Sequence, residues 1–347
     1  MPAALLTIDL GAIVANWRAL DAKTAVTVET GAVVKADAYG LGVGPVGQAL
    51  QKAGAKTFFV ALASEGITLR KAIGPAARIF VFSGYMQGDE FAFSEFDLTP
   101  LLNSVEQIAR FLADRQGAAY GLQLDSGMNR LGMEAEELAA IIAQMPALNP
   151  ALIISHLACV DEPGHPQNAE QLRAFNEMTA TLPNYRRSLS ATGGVLLGPN
   201  FHMDLTRPGI GLYGGEPFMD AQPVVTLSVP VIQTRQVAIG ESVGYGATWV
   251  ARRPSVIATV AAGYADGLIR AMGPNAGLYA GDVICPIVGR VSMDLITVDV
   301  TDLAEVPASL DILNAAQTVD VLAGAAGTIG YEILTSLGNR YTRVYKD

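Results

Sequence analysis

The chain has 347 residues, half of them apolar and 16% charged, a composition that folds into a globular core and excludes a disordered chain. Its net charge of −10 and its isoelectric point near 4.8 argue against non-specific nucleic-acid binding and against attraction to an anionic membrane surface. The length suits two domains, one of which can be an α/β barrel. Cys159 and Cys285 are the only two cysteines and lie far apart, without zinc-site spacing. No metal is expected, and a reducing compartment is the natural setting. The first nine residues lack a basic stretch followed by an apolar one, and no apolar run reaches the ~18 residues of a membrane span. A cytoplasmic protein is therefore expected.

In chain order, Leu5–Ile8 reads as a short strand, and Asp9 as the N-cap of a helix over Leu10–Leu20 with Ile13, Val14, Trp17 and Leu20 on one face. Apolar runs without alternation then recur, as strands buried on both faces do. They lie at Ala32–Lys35, Phe58–Leu62, Arg78–Phe82, Leu98–Leu102, Gly121–Leu124, Leu152–Ser155, Arg187–Ala191 and Pro208–Leu212. Helical stretches fall between most of them. Pro45–Ala53 stops at Gly54, Ser104 and Gln107 form a capping box opening Val105–Arg115, and Ala135–Gln144 and Asn168–Thr181 follow. Eight strands alternating with helices predict a (β/α)8 barrel rather than an open sheet.

Beyond about residue 223 the texture changes. Val224–Gln233 and Arg235–Ile239 alternate more, Val256–Ala262, Val283–Val288 and Leu295–Val300 are short and β-branched, and helix signals are few. A β-rich second domain is expected, with Asp302–Pro307 and Asp311–Gln317 as surface connections. The fold class is therefore α/β, an N-terminal (β/α)8 barrel over 11–222 and a C-terminal β-rich domain over 223–347.

Lys35 ends one of the buried strands, where barrel enzymes place their chemistry. A lysine whose stem lies in an apolar wall shifts its pKa easily and suits Schiff-base chemistry. A lysine snorkelling from a strand end would look the same, so the residue alone leaves both readings open. Several further stretches settle the matter by resemblance: Val33–Gly40, Leu124–Gly132, Ser155–Ala158, Arg207–Gly214, Ala262–Gly267 and Gly289–Asp294. Together and in this order they resemble the alanine racemases, fold-type III pyridoxal-phosphate enzymes, across almost the whole chain. The resemblance implies a barrel followed by a β domain, with the strand in residues 1–10 joining the latter.

It also implies roles. Lys35 would bind pyridoxal 5′-phosphate and act as one base. Tyr264, donated by the partner subunit of a homodimer, would act as the other, although a tyrosine with its ordinary pKa of about 10 needs help as a base. Arg207 would face the pyridine nitrogen and keep it largely unprotonated. Tyr39, Thr192, Gly209, Ile210 and Tyr331 would hold the phosphate, with threonine where the family usually has serine. His156 would sit beside the cofactor, Arg130 would approach the substrate carboxylate, and Met293 and Asp294 would line the substrate mouth. Taken singly, Arg207 reads as a surface ion pair, His156 as a satisfied strand-end histidine and Tyr331 as packing.

One departure stands out. Many relatives carry a carbamylated lysine where this chain has Gln123, an amide without charge, so Arg130 would be held by an anion such as chloride or less tightly. The family's second channel tyrosine has no evident counterpart after Arg270. The expected activity is L-alanine/D-alanine interconversion supplying D-alanine for peptidoglycan. The alternative is a broader, serine-type racemase. A decarboxylase of the same fold would need an acidic cluster for a distal ammonium, and a non-catalytic cofactor carrier would lack Tyr264.

Overall fold

A computed structural model describes residues 4–144, 149–180, 182 and 185–347. The chain divides into two compact units, one of Ile13–Leu212 with Pro217–Asp220, the other of Met1–Ala12, Tyr213–Glu216 and Ala221–Asp347.

In the first unit, seven strands form a parallel sheet in chain order from Ala32–Val33 through Thr57–Val60, Arg78–Val81, Thr99–Leu102, Gly121–Gln123 and Leu152–Ile154 to Arg187–Ser188. Their residues are almost all buried, Phe58, Phe59, Val60 and Val81 completely, which is why these runs show no alternation. The ring closes through Leu205–Thr206, which pairs in parallel with Glu29–Thr30. On one side Arg207 N–H donates to Ser190 O at 2.8 Å, and on the other Gly31 and Val33 donate to Thr206 O and Pro208 O, both at 2.9 Å. A Cβ on Gly31 would press on the Thr57 carbonyl at 2.9 Å and come within 3.3 Å of the Thr206 carbonyl, so glycine lets the chain between Glu29–Thr30 and Ala32–Val33 run close to its neighbours on both sides.

The expected strand at Pro208–Leu212 is the one error in the ring. The last strand is Leu205–Thr206, and Ile210–Tyr213 is a 3₁₀ turn. Pro208 has no N–H to give to a ladder, and the Gly209 and Gly211 N–H groups turn onto Thr192 Oγ1 instead. An apolar run alone cannot separate the two outcomes.

The helices follow their signals. Asp9 Oδ1 accepts from Ala12 N–H ahead of Leu10–Asp21, Ser104 Oγ accepts from Gln107 N–H ahead of Val105–Asp114, and Gly54 ends Val43–Ala53 at φ 121°. The helix expected over Asn168–Thr181 runs over Pro166–Thr179, and Thr181 lies outside the described residues, as do residues 1–3 of the expected N-terminal segment.

In the second unit, Leu5–Asp9 lies between Val225–Val237, to which it is antiparallel, and Thr342–Lys346, to which it is parallel. The two strands expected at 224–239 are one, with a register shift between Val231 and Gln233. The connection expected at Asp311–Gln317 contains most of a strand, Ser309–Leu313, whose Leu310, Ile312 and Leu313 are fully buried. Asp311 disguised it, but its carboxylate accepts from Ser228 Oγ on the neighbouring strand. Two helices, Val319–Ala326 and Gly330–Ser336, break the expected run of strands. Among the described residues no helix is long and apolar enough to cross a membrane, and no cluster of metal-ligating side chains occurs.

Candidate active site

The Ala32–Val33 strand ends two residues before Lys35, and Lys35 opens a turn of unusual hand. Ala36, Asp37, Ala38 and Tyr39 all have φ between 52° and 57°. Each L-residue in this left-handed helical conformation costs roughly 1–2 kcal/mol, so surrounding bonds must hold it. Ala38 N–H donates to Val34 O at 2.9 Å, Gly40 N–H to Ala36 O at 2.7 Å, and Asp37 Oδ1 accepts from Val43 N–H at 2.7 Å. Strain of this kind concentrates where a side chain must be aimed. The turn sends Lys35 Nζ over the Phe82 ring, 5.8 Å from its centroid.

Arg207, buried to 2% exposure, lies on the same floor. Its guanidinium carbon is 5.9 Å from the Phe59 ring, and Phe59 stacks on Phe82 at 5.5 Å. Its two terminal nitrogens donate to Ser188 Oγ and to Ser155 O, the latter at 2.7 Å. Ser188 spends its own proton on Leu205 O, so it can only accept from the arginine. Burial alone pulls Arg207 down to about 9, which leaves it a cation at neutral pH.

The other titratable groups respond to this crowding. Burial first, then the Arg130 charge, lowers Lys35 below the usual lysine range, while Glu65 works in the opposite direction. His156 is pushed to about 3 by burial and by the charges of Arg207, Arg130 and Lys35, so it is neutral at any physiological pH. Arg130 itself is exposed and follows Asn129, whose φ is 55°. Asp125 fixes this loop, accepting from Gly127, Met128 and Arg130 N–H at 2.8, 2.8 and 3.0 Å. Burial pushes its carboxyl up, and these backbone donors bring it below the usual range. Gln123 is 5% exposed and donates to Leu131 O at 3.4 Å.

Thr192, Gly209 and Ile210, expected to hold a phosphate, lie together just beyond the closing strand. Thr192 Oγ1 accepts from Gly209 N–H at 3.0 Å and from Gly211 N–H at 3.2 Å, which leaves its own proton to donate. Ile210 opens a 3₁₀ turn, whose first N–H has no partner within the turn. A Cβ on Gly209 would overlap the Tyr39 hydroxyl, so the glycine lets the phenol and this turn come together.

In the second unit the Tyr264 and Met293 segments are adjacent. Tyr264 N–H donates to Ser292 O at 3.0 Å and Ala265 N–H to Met293 O at 2.9 Å. A Cβ on Gly263 would strike the Ser292 and Met293 carbonyls. Tyr264 and Met293 are exposed, at 43% and 53%. Arg340 bridges Asp266 at 2.6 Å and Asp294 at 2.8 Å. Tyr331 lies in the first turn of Gly330–Ser336 and is 38% exposed.

Sequence reasoning missed Glu65, Asp125, Ser188 and Arg340. Three of them lie outside the resembling stretches and act through backbone groups or other side chains, so only Asp125, within Leu124–Gly132, carried any signal.

The profile of the alanine racemase N-terminal domain matches residues 8–217 and that of the C-terminal domain matches 224–345. Alanine racemases of Cereibacter sphaeroides and Dinoroseobacter shibae are each 61% identical to the chain, over 99% of both lengths. The crystal structure of the Bartonella henselae alanine racemase with covalently bound pyridoxal phosphate superposes with a TM-score of 0.94 at 37% identity, covering 100% of each chain. The biosynthetic alanine racemase of Pseudomonas aeruginosa gives 0.92 at 38%, again over 100% of each. The chain belongs to the alanine racemase family.

Proposed function

We propose that the protein interconverts L- and D-alanine by a two-base mechanism, with Lys35 on one face of the substrate α-carbon and Tyr264 of the partner subunit on the other. Its family membership makes it an isomerase acting on alanine, with pyridoxal phosphate as cofactor. The division of labour among residues is the proposal. The donor set fits the cofactor. It offers a lysine amine for covalent attachment, a buried permanent cation for a ring nitrogen, and a hydroxyl, a phenol and the start of a 3₁₀ turn for a phosphate. The glycine at 209 leaves the phenol room.

When bound, pyridoxal phosphate supplies an electron sink that makes the substrate α-hydrogen acidic. Lys35 holds the cofactor and, with its pKa lowered, offers a larger fraction of neutral amine to take a proton. Arg207 would face the pyridine nitrogen of the bound cofactor and, remaining a cation, would keep that nitrogen unprotonated, which would weaken the sink and favour return of the proton over transamination. Tyr39, Thr192, Gly209, Ile210 and Tyr331 bind the phosphate. His156, neutral, supports the proton path of Tyr264, Arg130 orients the substrate carboxylate, and Met293 and Asp294 limit the substrate to small side chains. In this reading, a barrel over 11–222 and a β domain over 223–347 with residues 1–10 are paired in a homodimer in the cytoplasm, where D-alanine feeds peptidoglycan.

The observation that carries this reading is Lys35 emerging from a barrel strand onto an aromatic floor it shares with buried Arg207. Lys35→Ala should lose both the visible band of lysine-linked cofactor and exchange of the alanine α-hydrogen with deuterated water. Tyr264→Phe should keep exchange from one enantiomer and lose it from the other. A Lys35→Ala protein that still racemises alanine would sink the assignment.

A further inference from the structure

The left-handed turn after Lys35 begins with an N–H that its own backbone does not satisfy. In any helical turn the first N–H groups lack internal partners. Here the Ala36 N–H donates to Glu65 Oε1 at 2.7 Å. The other carboxylate oxygen, Oε2, accepts from Ala61 N–H at 2.7 Å and Leu62 N–H at 3.3 Å, at the start of the right-handed Ala63–Ile73 helix. One carboxylate thus caps two turns of opposite hand. The first belongs to the segment that aims Lys35, and the second to a helix directly after the neighbouring barrel strand Thr57–Val60.

The second cap is ordinary, since a glutamate at the third position of a helix commonly reaches back to the backbone ahead of it. The first has no such local explanation, because it joins residues 29 positions apart. It reaches the peptide immediately after Lys35, at the start of four successive residues that would individually relax to negative φ. Glu65 also offsets, by its charge, part of the effect of burial and Arg130 on the lysine.

We propose that Glu65 is a positioning residue for the reaction, its carboxylate holding the Ala36 N–H so that Lys35 leaves the strand in the orientation its chemistry needs. This rests on Lys35 being the cofactor lysine.

The test uses purified holoenzyme carrying Glu65→Ala, Glu65→Gln, or an ester in place of the Ala36 N–H, made by incorporating lactic acid at position 36. The ester removes the Lys35-side bond and leaves the helix cap intact. The readouts are the visible band of the lysine-linked cofactor, its dependence on pH, the rate at which hydroxylamine releases the cofactor, and kcat and KM for L-alanine. Misaiming a reacting group by about an ångström costs on the order of 100-fold. Glu65→Ala and the ester should therefore each lower kcat by at least about tenfold, with KM changed less, and should speed hydroxylamine release and move the pH profile of the band. Glu65→Gln keeps one oxygen for one of the two partners and should fall between. If Glu65→Ala lowers only the melting temperature and the ester behaves as wild type in all four readouts, Glu65 is a helix cap alone and the proposal is overturned. Lys35→Ala separates the two layers. If that variant keeps the band, the assignment of Lys35 itself fails; if it loses the band while the ester changes nothing, only the role of Glu65 fails.

Discussion

Arg340 and Asp266 form a 2.6 Å ion pair in which the aspartate is 5% exposed and also accepts from Gly263 N–H at 2.9 Å. The same arginine reaches Asp294 at 2.8 Å. Arg340 therefore ties the turn that carries Tyr264 to the loop that carries Met293, two segments already joined by backbone bonds. Asp294 and Asp266 raise the pKa of Arg340 further, which keeps the arginine charged. If Tyr264 is the second base, as proposed, Arg340→Met should leave the spectrum of the bound cofactor unchanged while reducing kcat/KM about tenfold, the order expected when a reacting side chain loses its support. The loss should vary little with salt, because removal of the tie, not screening, causes it. Steady-state kinetics at two ionic strengths checks this.

Thr192 offers a different kind of support. The residue is 2% exposed, and its hydroxyl accepts from two backbone N–H groups of the Gly209–Gly211 turn. Thr192→Val keeps the volume and strands both donors, each costing about 1–3 kcal/mol when buried. Thr192→Ser keeps the acceptor. The valine variant should unfold at clearly lower urea and bind pyridoxal phosphate more weakly, while the serine variant should match wild type in both. Equal behaviour of the two would mean the hydroxyl is not what shapes the turn.

Much of the barrel was legible because strands buried on both faces become unbroken apolar runs, and seven of the eight runs coincide with strands. The eighth failed at Pro208 for lack of an N–H, a local rule that the apolar pattern masked. In the β unit, Asp311 read as a surface residue because its partner, Ser228, is 83 positions away. Lys35 was visible as an oddity in a buried run, and its resemblance to a known motif gave it meaning. The left-handed turn behind it left no trace, since Ala36, Asp37, Ala38 and Tyr39 include no glycine to announce positive φ. Glu65 was hidden for the same reason as Asp311. A sequence shows which residues repeat locally, whereas a cap 29 residues away appears only after folding.

Gln123 shows how a family position can change chemistry without loss of structure. Its Oε1 is buried and, among the described residues, has no hydrogen-bond partner. Its nitrogen makes one long bond of 3.4 Å to Leu131 O. An orphaned acceptor costs about 1–3 kcal/mol, so replacing the whole amide by an apolar group of similar volume should be neutral or stabilising. Gln123→Leu should therefore raise or preserve the urea midpoint. The Arg130 backbone is held by Asp125, so the same variant should leave KM for alanine within about twofold, as expected for a side chain outside the reacting groups. Asp125→Ala, which releases three backbone donors, should raise KM instead. Thermal and kinetic measurements on the two variants distinguish these roles.

His156 predicts a direction of pH dependence. Its folded-state value, about 3, lies well below the ordinary 6.5 because of burial and the charges of Arg207, Arg130 and Lys35. The unfolded chain therefore binds a proton that the folded chain refuses. Above about pH 6.5 both states are neutral at this ring and its full contribution is present; as pH falls from there towards 3, that contribution is lost. The slope from one such group is at most about 1.4 kcal/mol per pH unit, less in proportion to the ring's residual exposure. Urea midpoints of wild type should fall between pH 7 and pH 5, and His156→Gln, which has no proton to take up, should fall less. The imidazole should also keep the carbon and nitrogen shifts of a neutral ring in NMR at pH 5.5. A ring that titrates near its ordinary value would mean that the three cations do not act on it as their placement requires, and the proposed role of His156 as a neutral support of the proton path would fail.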